Sequence, residues 1–565
     1  MLTREEQQLL ESMDRAELLR HTREIASYKR VSCTEGESAA REYIKAELLK
    51  EGIAVREMPA KGLLSYPQNS ILIANHGRPD ERELPSVAWT HSGSADTPVT
   101  GKAVYLERDN FSGNPLVYLA ERGAYPKDLL GKVVLTTVIS AVSVMEAQER
   151  GAVAYAVCWP QGDETYAHEC MVQYMGWGTP LPEEADLFPS IPVIAVNKST
   201  GDSLRSQALN NDLVCTVQVA MDTAVRGFAQ LEARLEGSGG SPFFYLVGSH
   251  LDSIYYGATD NATGDAINLM LAKRFARASH LPYGLRFCWW SAHEYAKYVG
   301  SSTYALDNFQ DLNRHCLAYT NIDMPGLKGA TCYTRTTAGP DYLDLARKTV
   351  EDMTGQNGVW PYPVRSWDQS FQNMGISTYF AWLSGLPDTS PDRTMDSFMS
   401  WWWHTEHDVM DYCDADILHT DARIYLLALF RALHDHGGAP TPLPLWDFTQ
   451  KKLWEFAGRF RDVLDFGPLL GAWEDARAEW SRGASRLDPG QRLSTVRKLN
   501  QILYAQRAQW VQDTGITHPY LPGISWSASP LADKKGSAKG RLILDHYLRT
   551  QINRIYSLLS DLPRA

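Results

Sequence analysis

The sequence predicts an α/β protein built on a mostly parallel, mixed sheet flanked by helices, and three observations lead there. Between residues 226 and 440 the segments FFYLVGSH, LRFCWWSAHE and HCLAYTNIDM are nearly continuous apolar runs, the pattern of strands buried on both faces. They alternate with helix-like stretches such as DAINLMLAKRFARAS and SSTYALDNFQD, and that alternation marks a parallel sheet with helices on both sides. Each apolar run also ends in polar residues: His250, then His293 with Glu294, then Asp323. Open sheets of this kind bind their ligands at those carboxyl ends.

At 565 residues the chain exceeds what one hydrophobic core fills, and two to four domains are expected. The first thirty residues read as charged amphipathic helix. The run GESAAREYIKAELLKEGIAVREM keeps a helical period up to Gly52 and turns strand-like at AVREM. A further strand follows at NSILIAN, closed by the turn-rich HGRPDERELP. From 85 to 225 the texture changes to short strands (KAVYL, KVVLTTV, AVAYAVC, IPVIAVN, LVCTVQVAM) with the helical VSVMEAQERG among them. After the proline-rich GGAPTPLPLW, residues 441–565 read as helices, including RLSTVRKLNQILYAQRAQWVQDTG and GRLILDHYLRTQINRIYSLLSDL, with a long loop near 514–540.

Composition excludes several classes of function. Hydrophobic content of 44% and charged content of 22% are those of an ordinary globular protein. A net charge of -12 without a long basic stretch argues against nucleic acid as a partner. No run of about 18 apolar residues occurs, so no membrane span is expected. The N-terminus lacks a signal-like apolar run, and the eight cysteines are scattered without a C-x-x-C pair. Free thiols in a reducing, cytoplasmic compartment are the expectation.

The chemistry concentrates in VGSHLDSIYYGATDNATGDA, where an apolar strand delivers His250, then Asp252 and Asp260. A neutral imidazole and a carboxylate are ligand types that zinc prefers, and a carboxylate has two oxygens with which to bridge two ions. Asp252 is placed to accept the other ring N–H of His250. FCWWSAHEYAKYVGSSTYA adds His293 and Glu294, LAYTNIDMPG adds Asp323, and WWWHTEHDVMDYCD adds His404 with Asp408 four residues on. An H-E-x-x-H single-zinc helix is excluded because position 297 is Lys and the segment follows a strand.

This series resembles the co-catalytic zinc aminopeptidase family, which includes glutamate carboxypeptidase and the transferrin receptor. That family's S-H-x-D-S, D-N-x-S/T-G, E-E, N-x-D and H-T-x-x-D motifs arrive in the same order. The resemblance implies two divalent metal ions, zinc by ligand type, although manganese or cobalt would suit the same residues. One ion would take His250, Asp323 and a bridging Asp260; the other would take Glu294, His404 and the same Asp260. The H-T-x-x-D frame selects His404 over His407. DLLGKVVLT, MEAQERGAVAYAVCW and SIPVIAVNKSTGDSL resemble a protease-associated domain, which implies an insert at 85–225 within a catalytic domain of residues 1–84 and 226–440. Residues 441–565 resemble the family's helical dimerisation region, which implies a homodimer through these helices.

The family places two acidic residues in a row at the second strand end, the first as general base. Here that position is His293, with Asp252 as its companion in the catalytic set. Three outcomes are compatible with this. His293 acts as an unusual base in a hydrolase of a peptide or amide-like small substrate; the same metals serve non-peptidase chemistry on a small molecule; or the protein is a silent, receptor-like scaffold. VRSWDQSFQNMGISTYF resembles the family's S-D-H-x-x-F segment, with Asp368 and Phe371 in frame. On the substrate side the candidates are Arg365, with Arg335 and Arg393 beside it in sequence, Asp368, and Trp403 of the Trp401–Trp403 run.

Overall fold

The computed structural model describes residues 2–95, 97–107, 128–159, 176–210, 212–360, 365, 367–394, 399–435, 440–514, 520–525 and 537–563. Its backbone is organised by two very long strands, β1 (Ala54–Ala74) and β8 (Val214–Leu235), paired antiparallel from Ala54 opposite Arg234 to Ala74 opposite Cys215. AVREM and NSILIAN, expected as separate strands, belong to this one β1. The register slips between Pro67 and Asn69, where proline has no N–H to give the ladder.

On one side of β8 lie β10 (Gly284–Trp290), β9 (Phe244–His250), β11 (Cys316–Asn321) and β12 (Ser377–Thr378), mutually parallel and in that order. On the other side lie β4 (Val99–Tyr105), β5 (Lys132–Thr136), β6 (Ala154–Cys158) and β7 (Val193–Val196), again parallel; the short β2 (Arg82–Leu84) pairs antiparallel with β1, and β3 (Val87–Ala88) with β7. The boundary expected between 225 and 226 falls inside β8. That strand pairs β4 through Val214–Val217 and β10 through Leu231–Leu235, so both blocks hang on one ribbon.

Every residue of β9 and β11 is buried, which explains their unbroken apolar sequences. Alternation sorts the side chains. Tyr245 and Val247 enter a core with the helices Arg15–Ala26, Thr263–Ala276 and Ala415–Asp435, while Phe244 and Leu246 pack on the opposite face with Trp290, Tyr304 and Phe371. The carboxyl ends of β9, β10 and β11 therefore open at one edge, each followed within three residues by a polar side chain.

The helix Pro489–Tyr504 docks against this block. Buried Arg497 donates to the carbonyls of Leu312 and Asn313 at 2.8 and 3.1 Å, and Asn500 donates to Gly375 O at 3.2 Å. Its helical pattern was expected to run on to residue 515, but the helix stops at Tyr504. The Asp513 carboxylate accepts the backbone N–H groups of Gln506 and Arg507, both at 2.8 Å, and so folds the chain back. The loop expected at 514–540 falls largely outside the described residues.

Two buried polar groups hold the N-terminal helices in place. Arg30 donates to the carbonyls of Ile25, Leu251, Tyr256 and Gly257 at 2.7–3.0 Å. His21 sits fully buried, its Nδ1 2.8 Å from Tyr43 Oη and its Nε2 3.3 Å from both Lys273 Nζ and Arg20. Burial, with Lys273 and Arg20 close by, pushes its pKa down to about 4.

Arg30→Ala leaves those carbonyls unpaired in the dry interior and is expected to destabilise the fold by roughly 3–5 kcal/mol, read from urea denaturation. His21 predicts a pH slope. Its folded pKa lies below the unfolded value, so the stability it contributes is complete above about pH 6.5 and is lost as pH falls towards 4. Wild type should lose on the order of 2–3 kcal/mol more than His21→Gln over that interval, measured by parallel melts.

Candidate metal centre

The site is assembled from five places in the chain. His250 is the last residue of β9, His293 and Glu294 follow β10, and Asp323 follows β11. Asp260 lies in the turn before helix Thr263–Ala276, with a cis peptide to Asn261, and His404 lies in the turns after the tryptophan run. The three ends of adjacent parallel strands bring their residues together without further adjustment; Asp260 and His404 are carried in on loops.

His250 Nδ1–H donates to the Asp252 carbonyl at 2.9 Å, which leaves Nε2 as a lone pair. That Nε2 lies 2.9 Å from Asp260 Oδ1 and 3.3 Å from Asp323 Oδ1. On the other side, His404 Nε2 is 3.3 Å from both Asp260 Oδ2 and Glu294 Oε2. Asp260 thus presents one oxygen to each half. The sets His250, Asp260, Asp323 and Asp260, Glu294, His404 each gather their ligand atoms within 4.8 Å, and all five residues are buried.

The donor chemistry fits a divalent cation. His250 Nε2, Asp260 Oδ1 and Asp323 Oδ1 are buried atoms with no aligned hydrogen-bond partner among the described residues. Imidazole nitrogen and carboxylate oxygen converging in this way suit zinc. The electrostatics agree. Burial pushes His404 down, but Glu294 and Asp260 outweigh it and raise its pKa to about 10. Burial likewise acts against His250, which Asp323 and Asp260 still raise well above its ordinary value. The three carboxylates demand positive charge at their centre.

The loops are held by groups one step further out. Asp408 accepts Thr259 N–H and Oγ1–H at 2.8 Å and Asp260 N–H at 2.9 Å, while its own carbonyl accepts Ala258 N–H at 3.0 Å. This single residue binds the Asp260 turn to the His404 loop. The Asn261 amide donates to Ile322 O at 2.8 Å and accepts from Met324 N–H at 3.2 Å, which fixes the same turn to the end of β11. His404, Ala292 and Asp368 have positive φ of 57–60°, a strained region for non-glycine residues that clusters at such sites.

Asp252 differs from expectation. It is the backbone carbonyl of Asp252 that takes the His250 proton; the carboxylate is 3.8 Å from Nδ1. Its oxygens instead accept the N–H groups of His293 and Glu294 at 3.2 and 3.0 Å, and the Ser32 hydroxyl. Asp252 therefore fixes the backbone that carries the next two functional side chains. His293 itself stacks on His250, with centroids 3.8 Å apart, and its Nδ1 lies 2.7 Å from Asp368 Oδ2. Burial and His250 push its pKa down, and Asp368 with Glu294 more than offsets them.

The substrate-side candidates divide. Arg365, expected to take a substrate carboxylate, is buried and donates to Asn373 at 2.6 Å and to Gln512 at 2.8 Å; it ties the 365–373 segment to the C-terminal region. Arg335 and Arg393 both pair with Asp388. Trp403 does not stand as a bare wall: its indole N–H donates to Asp260 Oδ2 at 2.7 Å and its ring stacks on His404 at 3.8 Å. His407 is outside the cluster, its ring 6.0 Å from that of Trp401. Phe371 is buried against Trp290 and Tyr319. Sequence reasoning gave no role to Ser32, Asn261, Ser301 or Trp177. Only Asn261, inside the D-N-x-T-G run, carried a signal that could have marked it.

Residues 231–429 match peptidase family M28. The chain is 29% identical over 231 residues to the probable lipoprotein aminopeptidase LpqL of Mycobacterium tuberculosis, covering 36% of this chain and 42% of that one. It is 27% identical over 312 residues to an aminopeptidase of Pseudomonas aeruginosa, covering 53% and 54%. The chain thus spans about half the length, or less, of these curated relatives. Among solved structures, a peptidase M28 precursor from Shewanella amazonensis superposes with a TM-score of 0.59 at 18% identity, over 77% of this chain and 97% of that one. The aminopeptidase from Aneurinibacillus sp. strain AM-1 superposes at 0.55 and 20% identity, over 77% and 96%. These superpositions establish the mixed, mostly parallel fold.

Asp408→Asn preserves shape but sets an NH2 group against backbone donors. It is expected to weaken zinc binding roughly 10–100-fold, measured by competition with a chromophoric chelator, with little change in far-UV circular dichroism.

Proposed function

Taking residues 231–429 as a member of peptidase family M28, we propose that the protein is a zinc-dependent hydrolase of the aminopeptidase and carboxypeptidase type, acting on a peptide or amide-like small substrate. The observation that carries this is the sharing of Asp260 between two converging ligand sets. Two divalent ions are assigned, one to His250, Asp323 and Asp260, the other to Glu294, His404 and Asp260. When bound, such ions polarise the scissile carbonyl and lower the pKa of the attacking water. His293 stands where the family has its carboxylate base. It takes a proton from water as the water oxygen bonds to the carbonyl carbon, and it returns that proton to the amine nitrogen as the C–N bond breaks. Asp252 holds the 293–294 backbone in place for this exchange.

A histidine at the base position also favours a second reading, the same metal site used for non-peptidase chemistry on a small molecule. The same proposal makes the chain a homodimer through its C-terminal helices, supported by the exposed Leu443, Trp454, Leu542 and Ile543. It also sets the protein in a reducing, cytoplasmic compartment, supported by the free state of the seven described cysteines.

Metal analysis of the purified protein should find about two ions per chain, and a chelator should abolish hydrolysis of aminoacyl anilides, with zinc restoring it. His404→Ala should remove one ion and all turnover. A chain that binds no divalent metal overturns the proposal. Peptidase activity that appears only in His293→Glu would show that the native reaction lies with the second reading.

A further inference from the structure

His293 is held on three sides. Its ring stacks on His250 with an interplanar angle of 15°, Tyr298 meets it edge-on at 4.7 Å, and Asp368 Oδ2 lies 2.7 Å from its Nδ1. Asp368 is 1% exposed, so its carboxylate must find its partners within the protein. The second oxygen, Oδ1, accepts the Ser301 hydroxyl. Ser301 Oγ is in turn 2.7 Å from Ser370 Oγ, and the Trp177 indole N–H donates to Ser370 Oγ at 2.7 Å.

The direction of this chain is fixed by its ends. An indole N–H can only donate, and an ionised carboxylate can only accept. Ser301 gives its one proton to Asp368, so Ser370 must give its proton to Ser301, and Trp177 supplies Ser370. Every donor points towards Asp368. The remaining oxygen of that carboxylate then accepts from His293, which requires the proton to be on Nδ1 and leaves Nε2 as the nitrogen able to take another. A ring nitrogen of His293 lies within 4.8 Å of ligand atoms of His250 and Glu294, so the imidazole reaches the reacting region. Trp177 also packs on Tyr298 at 4.3 Å, and so braces the residue that meets the edge of the same ring.

We propose that Asp368 is a positioning residue: it fixes the Nδ1-protonated form and the orientation of His293, so that Nε2 serves as the proton acceptor in place of the family's carboxylate. This replaces the substrate-binding role expected for Asp368 from sequence. It rests on the reading of His293 as the base, and the pairing itself is testable without turnover.

The first measurement is 15N–1H spectroscopy of metal-free protein labelled at histidine nitrogen, the His293 signals being identified by their loss in His293→Glu. A protonated Nδ1 that disappears or moves in Asp368→Ala is expected. An unprotonated Nδ1, or a signal indifferent to Asp368→Ala, overturns the proposal. The second uses zinc-loaded enzyme and an aminoacyl p-nitroanilide. Asp368→Asn should lower kcat roughly 10²–10⁴-fold with KM within about threefold and metal content unchanged. In a His293→Glu background, the same Asp368→Asn change should cost less than about threefold, because a carboxylate base has no tautomer to fix. Equal losses in both backgrounds would show that Asp368 acts on substrate or fold instead, and overturn the proposal. Should wild type turn over no amide, the hydrolase reading fails while the spectra still decide the pairing.

Discussion

Asp260 turns one oxygen towards His250 and the other towards His404, at 2.9 and 3.3 Å, and the rest of the structure is arranged so that it can. A carboxylate shared between two ligand sets, with Glu294 and Asp323 close by, is repulsive unless positive charge lies between them. The raised imidazole pKa values record that demand. Holding such a group in place is not left to the candidate ligands alone. The restraint comes from behind: the Asp408 carboxylate on the 259–260 backbone, the Asn261 amide on the end of β11, and the buried Arg30 on the carbonyls leading into the turn. Each uses hydrogen bonds to backbone, which leave the inward-facing atoms untouched.

The same economy appears around the second strand end. Asp252 is within reach of the His250 ring, yet its carboxylate is spent on the N–H groups of His293 and Glu294. A backbone carbonyl is enough to fix the His250 tautomer, so the charged group is available for orienting two residues at once. His293 then needs its own partner, since an imidazole has two nitrogens and only one can be the acceptor. Asp368 meets that need from a loop some seventy residues further on, and the serines and tryptophan behind it set its polarity.

How much of this could be read in advance depends on how local the cause is. The strands β9, β10 and β11 were legible because burial on both faces writes itself as unbroken apolar sequence. The five candidate ligands, which the structure gathers in two overlapping groups, were legible because the resemblance in motif spacing ties each to the end of such a strand or to a fixed frame around it. The single course of β1 was not, because the pairing that carries it past Pro67 comes from β8, some 150 residues away. The stop of helix Pro489–Tyr504 was missed for a like reason: the period continues in sequence, but Asp513 takes the backbone donors that a longer helix would have used. Arg365 looked available because loop arginines usually are; Asn373 and Gln512 occupy it.

By itself, then, the sequence determined the sheet class, marked His250, Asp260, Glu294, Asp323 and His404 as candidate ligands, and placed an imidazole at position 293. These follow from residue type, period and spacing, which are properties of short stretches of chain. Tertiary structure alone decided which atom of Asp252 meets His250, that Trp403 bonds Asp260, and that Asp368 faces His293 and not solvent. Those outcomes depend on which side chains from distant segments share a dry space of a few ångströms. There every buried donor and acceptor must find a partner, and no local pattern records which one it finds.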